Sequence, residues 1–297
     1  MRTLVTGASG FSGSIIIPAL ARAGFDVVGV YRRETQFLAR IPAESRIRLI
    51  RHDLTDAGAL PGPFESIVHV GSTSPAPGVT TADVVRDNVV GTSALIAAAL
   101  GWRSRRFVYF SSLSVYGRLS EPVVDESTPI RDPDAYGATK HLAECLLAEI
   151  ADELPALSLR LPGVLGPGAH RNWLSGVAAR LRRGETIRAF HLDRPFNNAA
   201  HVGDIAALVA HVLQRGWQGF DAVVIGARGM TTVRAAIERL GRGLGVAAKI
   251  EPVPPSNPSF VLCCDRAIAH YGYDPMEIEP MLDRYAKDLR ELGRCEP

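Results

Sequence analysis

Apolar and polar positions alternate along the chain in a way that predicts strands and helices in turn. Short apolar runs rich in β-branched residues predict strands at Arg2–Thr6, Asp26–Tyr31, Ile47–Arg51, Ser66–Val70, Arg106–Phe110, Ala156–Leu161 and Ala222–Ile225. Longer segments with helical spacing predict helices at Ser12–Ala23, Ala82–Leu100, Asp134–Glu153 and Val202–Gln214. Most of these strands lack a polar face, which is typical of a parallel sheet covered on both sides. The predicted fold class is therefore α/β, with a doubly wound parallel sheet.

The composition excludes several classes of protein. The chain has 297 residues, of which 46% are hydrophobic, and a net charge of +2. Disorder is excluded by the apolar content, and the weak charge predicts no nucleic-acid and no membrane partner. The apolar stretches around Ile15 and Leu95 are expected to be too short to span a bilayer, and the N-terminus does not resemble a signal peptide. We therefore expect a cytoplasmic protein.

The cysteines give no sign of a metal or of a disulfide framework. Four are present, and none shows the spacing of metal ligands: Cys145, Cys263, Cys264 and Cys295. The interpretation is four reduced thiols and no metal site.

A glycine-rich loop joins the first predicted strand to the first predicted helix. Its spacing is G-x-x-G-x-x-G, and a helix N-terminus behind such a loop faces the pyrophosphate of a dinucleotide. A plain turn is the alternative, but the position between strand and helix favours a binding loop. The predicted cofactor contacts here are Gly7, Ser9, Gly10, Phe11 and Gly13.

The end of the second strand predicts which dinucleotide binds. NAD-binding proteins usually place an acidic residue there, whereas this chain has Arg32 and Arg33. Guanidinium groups suit a 2′-phosphate, so NADP is the expected cofactor, with NAD possible. The alternative is that one or both arginines simply face solvent. Asp53 and Leu54, after the third strand, are predicted to flank the adenine.

Three residues form the candidate chemical centre. Tyr136 and Lys140 lie four residues apart on one predicted helix and therefore share a face. A free tyrosine has a pKa near 10, and a neighbouring ammonium favours the phenolate. Such a tyrosine exchanges a proton with a substrate oxygen while hydride moves to or from a nicotinamide. Ser112, after the fifth strand, is predicted to hydrogen-bond the same oxygen; its alternative role is to satisfy the backbone at the strand end.

These motifs together resemble the extended short-chain dehydrogenases/reductases of the NAD(P)-dependent epimerase/dehydratase group. The resemblance covers nearly the whole chain. Its marks are the glycine loop, Asp53-Leu54, Asn88-x-x-Gly91-Thr92, the run from Ser111 to Gly117, Tyr136 with Lys140, Arg160 with Gly166-Pro167-Gly168, and His201-Val202-x-Asp204.

The resemblance implies a Rossmann sheet and assigns further roles. It makes Ser112 catalytic with Tyr136 and Lys140, and it places Val70 and Gly71 on the nicotinamide side. Tyr136, Lys140 and Pro162 are assigned to the cofactor site as well, with Lys140 holding the nicotinamide ribose, and Ser112, Ser114 and Asn197 are assigned to the substrate. It also implies a homodimer through the helices Ala82–Leu100 and Asp134–Glu153.

The domain organisation follows from a change in composition. Proline and glycine become frequent after Leu161. We predict a dinucleotide-binding domain over residues 1–161, to which residues 201–226 return, and a smaller C-terminal substrate-binding lobe from residues 162–200 and 227–297.

Several positions depart from the family pattern. The family's 4,6-dehydratases carry Asp-Glu where this chain has Leu113 and Ser114, so dehydration is not expected. Gly163 replaces an asparagine, and Asn197 begins the segment that often carries an arginine for the substrate diphosphate. Arg171 or Arg194 could substitute for that arginine.

These observations favour an NADP-dependent ketoreductase acting on a sugar-like small molecule, with a nucleotide sugar as the first choice. Three alternatives remain: a nucleotide-sugar 4-epimerase, a reductase of an aldehyde or aromatic ketone, and a non-catalytic NADP-sensing protein. The sensor interpretation is the weakest, because such proteins typically lose the Tyr/Lys pair.

Overall fold

A computed structural model of the chain describes residues 1–295, with side chains through Leu292. The predicted thiol at Cys295 lies outside the described side chains, whereas Cys145, Cys263 and Cys264 are free cysteines. By contact clustering the chain forms two compact units. The first comprises residues 1–118, 129–160 and 206–223, and the second comprises residues 119–128, 161–205 and those from 224 onward.

A seven-stranded sheet forms the centre of the first unit. Numbered along the chain, its strands are β1 (Arg2–Thr6), β2 (Asp26–Tyr31), β3 (Ile47–Arg51), β4 (Ser66–His69), β5 (Arg106–Ser112), β7 (Ala156–Leu161) and β12 (Phe220–Val224). Their order is β12-β7-β5-β4-β1-β2-β3, and the pairs from β3 through β5 are parallel. The strand order reverses between β1 and β4, which is where ligands bind in open sheets of this class. The predicted doubly wound α/β fold is confirmed.

The helices of the first unit connect successive strands of the sheet. They are α1 (Phe11–Arg22), α2 (Thr81–Val85), α3 (Gly91–Gly101), α4 (Ala135–Glu149) and most of α6 (Val202–Arg215). On one face of the sheet, Leu95 and Ala99 of α3 and Leu147 of α4 pack into a core with Leu4 and Phe107 of the strands. This burial of apolar surface holds the helices on the sheet.

One helical segment is longer than the sequence predicts. Residues Thr81–Gly101 run continuously through α2, a π-helical turn at Arg86–Val90, and α3. At 21 residues it is, by length and composition, long and apolar enough to cross a membrane, which corrects the expectation for the stretch around Leu95. The stretch around Ile15 lies in α1, which has 12 residues. Its Leu95 and Ile96 are buried in the sheet core, so here it acts as a covering helix.

Within the described residues, the second unit contains four small two-stranded sheets and the other four α-helices. Its strands are β6 (Val123–Val124), β8 (Gly163–Leu165), β9 (Ile187–Ala189), β10 (Pro195–Phe196), β11 (Ala199–His201), β13 (Thr231–Thr232), β14 (Ile250–Pro252) and β15 (Val261–Leu262). Its helices are α5 (Trp173–Arg182), α7 (Val233–Leu244), α8 (Asp265–Tyr271) and α9 (Ile278–Cys295). The domain prediction left residues 119–128 in the first domain. They cluster with the second unit because β6 pairs with β15.

Candidate active site

The carboxyl edge of the sheet gathers the predicted site residues of the first unit. Because β1 to β5 are parallel, their ends meet at one edge: the glycine loop follows β1, Arg32 follows β2, Asp53 follows β3, Val70 follows β4, and Ser112 ends β5. Such an edge is where α/β sheets bind their ligands. The topology therefore brings residues that are distant in sequence to one end of the sheet.

The glycine loop is shaped as a close-fitting cradle. Gly7 has φ of 73°, and a Cβ there would lie 2.7 Å from the backbone nitrogen of Gly71. A Cβ on Gly13 would lie 2.1 Å from the carbonyl oxygen of Gly7. Helix α1 begins directly behind this loop at Phe11, so its free backbone N–H groups face the loop. These features fit the pyrophosphate of a dinucleotide.

Three other loop residues predicted to contact the cofactor, Ser9, Gly10 and Phe11, also make contacts within the protein. The backbone carbonyl of Ser9 accepts a hydrogen bond from the Thr35 hydroxyl at 2.6 Å, and the backbone N–H of Gly10 donates to Gly7 at 2.9 Å. The ring of Phe11 is buried and lies 6.4 Å from that of Phe37, centroid to centroid. Phe11 therefore anchors the start of α1.

Arg32 is held by an acidic residue that the sequence analysis missed. Its two terminal nitrogens donate to the two carboxylate oxygens of Asp87, one of them at 2.6 Å. The Thr73 hydroxyl donates to the same carboxylate at 2.5 Å, and Arg86 donates to it at 2.9 Å. The π-helical turn positions Asp87 there, and such turns are frequent at functional sites. Arg33, by contrast, is exposed.

Asp53 has a structural task beside its predicted contact with the adenine. Its carboxylate caps the turn that starts at Leu54 by accepting from the backbone N–H of Thr55, and it accepts from Arg86 at 2.5 Å. Burial alone would raise the pKa of Asp53, but the bonds from Thr55 and Arg86 outweigh it and lower the pKa to about 2. Leu54 packs against the core of the sheet.

The loop after β4 is tied to its neighbours by a buried asparagine. The Asn88 side chain accepts from the backbone N–H of Thr73 at 2.7 Å and donates to Thr139 on α4 at 3.2 Å. Gly71 donates its backbone N–H to the Thr6 hydroxyl at 3.0 Å. These bonds fix the half-buried Val70 and Gly71, the residues assigned to the nicotinamide side, against the glycine loop.

Tyr136 and Lys140 lie on one face of α4, as their spacing predicts. The Lys140 nitrogen is 5.9 Å from the centre of the Tyr136 ring and 4.5 Å from that of Tyr109. It donates to the backbone carbonyl of Phe110 at 2.6 Å. Lys140 is 1% exposed, whereas Tyr136 is half-buried and so open to a ligand. Burial lowers the pKa of Lys140 to about 7, although the charge of Glu144 opposes this.

Gly137 lets α4 approach the end of β5. A Cβ on this residue would lie 2.0 Å from the carbonyl oxygen of Ser114. Any larger residue would therefore push the helix away from the short turn Leu113–Tyr116. The N-cap residue Asp134 accepts from the Gly137 backbone at 2.7 Å and fixes the start of α4. Together these contacts place Tyr136 beside the turn that follows Ser112.

Ser112 and Ser114 bond to each other. The Ser112 hydroxyl donates to the Ser114 hydroxyl at 3.1 Å and accepts from its backbone N–H, also at 3.1 Å. The backbone-satisfying role considered for Ser112 is therefore present. Both side chains are half-buried, so both remain within reach of a ligand.

His69 is a further buried polar residue that the sequence analysis missed. Its Nδ1 lies 2.7 Å from the Thr6 hydroxyl, and its Nε2 lies 2.9 Å from the Thr92 hydroxyl. Burial, together with the charge of Lys140, lowers the pKa of His69 to about 3. The available signal was a polar residue within an apolar strand.

Residues predicted for the cofactor and substrate in the second unit have other surroundings. Pro162 is half-buried and follows β7. The Asn197 side chain is 3% exposed, donates to the carbonyl of Leu262 at 2.8 Å and accepts from its N–H at 2.8 Å. Asn197 therefore has a structural role in this fold, and its contact with the substrate stays a prediction.

The two candidate substitutes for the diphosphate arginine differ in their surroundings. Arg194 lines a cavity of about 500 Å³ with apolar walls that include Val123, Met230 and Phe260. Arg171 is exposed on a loop. Among the described residues, no three His, Cys, Asp or Glu side chains are grouped as metal ligands.

Comparison with known proteins relates the chain to a set of enzymes. The model of the "NAD dependent epimerase/dehydratase family" matches residues 3–226. A UDP-glucose 4-epimerase of Streptomyces lividans is 30% identical over 237 residues, which cover 71% of this chain and 70% of that protein. A 4-hydroxy-2-methyl-3-oxo-4-farnesyl-3,4-dihydroquinoline-1-oxide ketoreductase of Stigmatella aurantiaca is 33% identical over 50% of this chain and 46% of its own length.

The fold also matches solved structures over its full length. The UDP-glucuronic acid 4-epimerase from Bacillus cereus, in complex with NAD, superposes with a TM-score of 0.85. The superposition covers 99% of this chain and 98% of that one at 22% identity, so it shows a shared fold.

Proposed function

The chain belongs to the NAD-dependent epimerase/dehydratase family, and we propose that it is a nucleotide-sugar 4-epimerase that works with NAD. The observation that carries this choice is the pairing of Arg32 with Asp87. The predicted ketoreductase rested on two arginines free to bind the 2′-phosphate of NADP. The carboxylate of Asp87 already accepts hydrogen bonds from both terminal nitrogens of Arg32. Arg32 is therefore weaker support for NADP, and the preference for NADP is not confirmed.

The charges around the end of β2 support NAD. Asp53 and Asp87 lie beside Arg32 and Arg86, so the carboxylates balance these guanidinium groups. A 2′-phosphate would have to displace a carboxylate from Arg32 or bind to the exposed Arg33. The two hydroxyls of an unphosphorylated ribose carry no charge and require no such exchange.

The residues of α4 and β5 supply proton transfer in the proposed reaction. Tyr136 removes the proton of the sugar 4-hydroxyl as the C4–H bond breaks, and Ser112 donates a hydrogen bond to the oxygen that becomes a carbonyl. Bound NAD supplies the hydride acceptor, and later the hydride donor, at C4. Tyr136 then returns the proton when hydride is delivered to the opposite face of C4. No reductant is consumed overall, which distinguishes this reaction from a ketoreduction.

The cradle and the tyrosine are the parts of this chain that fit the cofactor and substrate. The loop from Gly7 to Gly13 would hold the pyrophosphate, and Lys140 would stabilise the developing charge on Tyr136. Streptomyces lividans UDP-glucose 4-epimerase suggests the substrate class, a uridine-diphosphate hexose.

The proposal is tested by incubating the purified protein with UDP-glucose or UDP-galactose and no added reductant. Interconversion of the two nucleotide sugars, detected by proton NMR of the anomeric region, would support the epimerase. Stoichiometric consumption of NADPH or NADH with a 4-keto nucleotide sugar would instead support the ketoreductase. The Tyr136→Phe variant is the negative control. Absence of both reactions with nucleotide sugars would overturn the proposed substrate class.

Reduction of an aromatic ketone is a second candidate. It is favoured by the Stigmatella aurantiaca ketoreductase, which is 33% identical, and by the engagement of Asn197 in backbone bonds where nucleotide-sugar enzymes often carry an arginine. Oxidation of NADH or NADPH on addition of quinolone or naphthoquinone ketones, without activity on UDP-hexoses, would favour it.

A further inference from the structure

A buried group of charged side chains lies beneath the candidate catalytic pair. Lys140 is 1% exposed, Glu144 is 2% exposed and Arg160 is 8% exposed. Glu144 follows Lys140 by four residues on α4, so the two side chains leave the same face of the helix one turn apart. Arg160 reaches the carboxylate of Glu144 from β7. Three charges shielded from water in one place require mutual compensation.

The carboxylate of Glu144 is fixed on several sides. Arg160 donates its Nε to Oε1 at 3.1 Å and its Nη2 to Oε2 at 2.8 Å. The Ser158 hydroxyl donates to Oε1 at 2.9 Å. The remaining Nη1 of Arg160 donates to the hydroxyl of Tyr116 at 3.0 Å, so the guanidinium is fixed as well. A carboxylate held in this way keeps both its position and its charge.

The other groups that face Lys140 do not supply a negative charge. His69 on β4 is kept neutral at physiological pH, because burial and the charge of Lys140 lower its pKa to about 3. The buried hydroxyl of Tyr109 on β5 has its pKa raised well above the ordinary value, first by burial and then by the charges of Tyr136 and Glu144. Tyr136, on the same helix as Lys140, is the candidate acid–base itself. Glu144 is therefore the carboxylate that compensates the ammonium of Lys140.

We propose that Glu144 is a positioning residue whose buried carboxylate, held by Arg160, keeps Lys140 protonated beside Tyr136. The inference rests on the role of Lys140 in the proposed function, but it concerns a charge that exists without cofactor or substrate. Burial pulls the pKa of Lys140 down to about 7, and Glu144 works against that fall. Without the carboxylate, the charged form of the amine loses population near neutral pH, and a neutral amine cannot stabilise the charge that develops on Tyr136.

The protonation of Lys140 can be measured directly by NMR, because the chain has few lysines. It contains three lysines, Lys140, Lys249 and Lys287, of which the last two are exposed. Lysine labelled with ¹³C at Cε gives one signal for each residue, and the shift of each signal follows its protonation. In the wild-type protein we expect Lys140 to titrate well below the ordinary range of a lysine side chain. In Glu144→Gln its midpoint falls by about one pH unit or more, the usual size of a neighbouring charge effect.

A second variant reverses the sign of the effect. In Arg160→Gln the guanidinium paired with Glu144 at 2.8 Å is removed, while His141, whose Nδ1 lies 3.5 Å from the same carboxylate, stays in place. More of the negative charge of Glu144 then acts on Lys140, so the Lys140 midpoint rises. This variant decides the question if Glu144→Gln does not fold, as judged by near-ultraviolet circular dichroism. Glu149→Gln, at the exposed end of the same helix, is the matched control and leaves the midpoint unchanged.

Two further readouts separate the outcomes. If Lys140 supports proton transfer, the alkaline limb of the kcat profile moves to lower pH in Glu144→Gln by the same amount as the midpoint, and Glu144→Asp restores part of it. A Lys140 midpoint that stays in place in every folded variant would overturn the inference. Because the NMR titration needs no turnover, a failure of the proposed epimerase activity leaves this result intact, and the two failures are distinguishable.

Discussion

Arg32 and Asp87 form a two-pronged ion pair at the carboxyl end of β2, with one nitrogen–oxygen distance of 2.6 Å. The acid comes from the π-helical turn after α2, 55 residues along the chain from the arginine. Burial tends to raise the pKa of Asp87, but bonds from Arg32 and Thr73 hold it below its ordinary value. At neutral pH the carboxylate is therefore charged, and it competes with any phosphate for the same guanidinium.

The first prediction concerns the choice of dinucleotide. The wild-type protein should bind NAD at least as tightly as NADP, and Asp87→Asn should raise the affinity for NADP relative to NAD about tenfold or more. The reason is that a freed guanidinium gains a charge-assisted contact worth about 1.5–3 kcal/mol. Calorimetric titration of both dinucleotides into both proteins measures the ratio.

The control for this experiment is Asp26→Asn, which removes an exposed carboxylate at the opposite end of β2. It should leave the ratio unchanged. A wild-type protein that prefers NADP more than tenfold would restore the original expectation from Arg32 and Arg33. It would also remove the main reason to prefer the epimerase over the ketoreductase.

The second prediction concerns proton transfer by Tyr136. Tyr136→Phe should lower kcat by about 10² or more, the usual scale for loss of a general acid–base, with little change in NAD affinity. The phenyl ring keeps the packing of the half-buried side chain, so the fold should be unaffected. Steady-state kinetics with cofactor titration tests this, and Tyr271→Phe on α8 serves as the control. Turnover equal to that of the wild type would remove Tyr136 from the mechanism.

The third prediction concerns Lys140. Methionine nearly fills the volume of the buried lysine stem, so Lys140→Met should fold. It removes the ammonium that donates to the carbonyl of Phe110 and lies near Tyr136, so kcat should fall. Cofactor affinity should fall too if Lys140 holds the nicotinamide ribose, as the family resemblance implies. Lys287→Met, at an exposed position, should change neither. Unchanged kinetics and affinity in Lys140→Met would mean that the buried ammonium has a structural role alone.

The parts of the site that could be predicted from sequence are those with local signals. The glycine loop reveals itself by spacing between one strand and the next helix, and Tyr136 with Lys140 by a four-residue interval on a helix. Four strands have the predicted boundaries: Arg2–Thr6, Asp26–Tyr31, Ile47–Arg51 and Ala156–Leu161. In each, an apolar run between turn residues indicates where the strand begins and ends.

The residues that sequence reasoning missed act across long separations. Asp87 meets Arg32 and Glu144 meets Arg160 only after the sheet is assembled, and neither pair has a characteristic spacing. Asn197 has a structural role that its sequence position does not reveal. It occupies a family substrate position, yet its amide is consumed by the backbone of β15, which no local pattern indicates. Pairing partners in three dimensions decide such roles.

The fourth prediction excludes dehydration. The positions after Ser112 hold Leu113 and Ser114 on the short turn, so no carboxylic acid or carboxylate is available there to remove a sugar hydroxyl. Incubation with UDP-glucose or dTDP-glucose and NAD should give no 4-keto-6-deoxy product by mass spectrometry. The detection of that product would show that other residues supply the acid and base, and it would overturn this assignment of reaction type.

The last prediction concerns acid stability through His69. In the folded protein the pKa of His69 is lowered to about 3, because burial and then the charge of Lys140 disfavour its protonated form. An unfolded histidine takes up its proton near pH 6.5. The unfolded state therefore binds more protons between about pH 6.5 and 3, and stability falls as the pH is lowered through that window, by up to about 1.4 kcal/mol per pH unit for one group.

His69→Gln keeps hydrogen-bonding capacity toward Thr6 and Thr92 but cannot titrate. Its free energy of unfolding should be lower than that of the wild type at pH 7, with a shallower decline towards pH 4, whereas the exposed His170→Gln should follow the wild-type curve. Urea unfolding at a series of pH values gives both slopes, and parallel curves for wild type and His69→Gln would show that other groups govern acid denaturation.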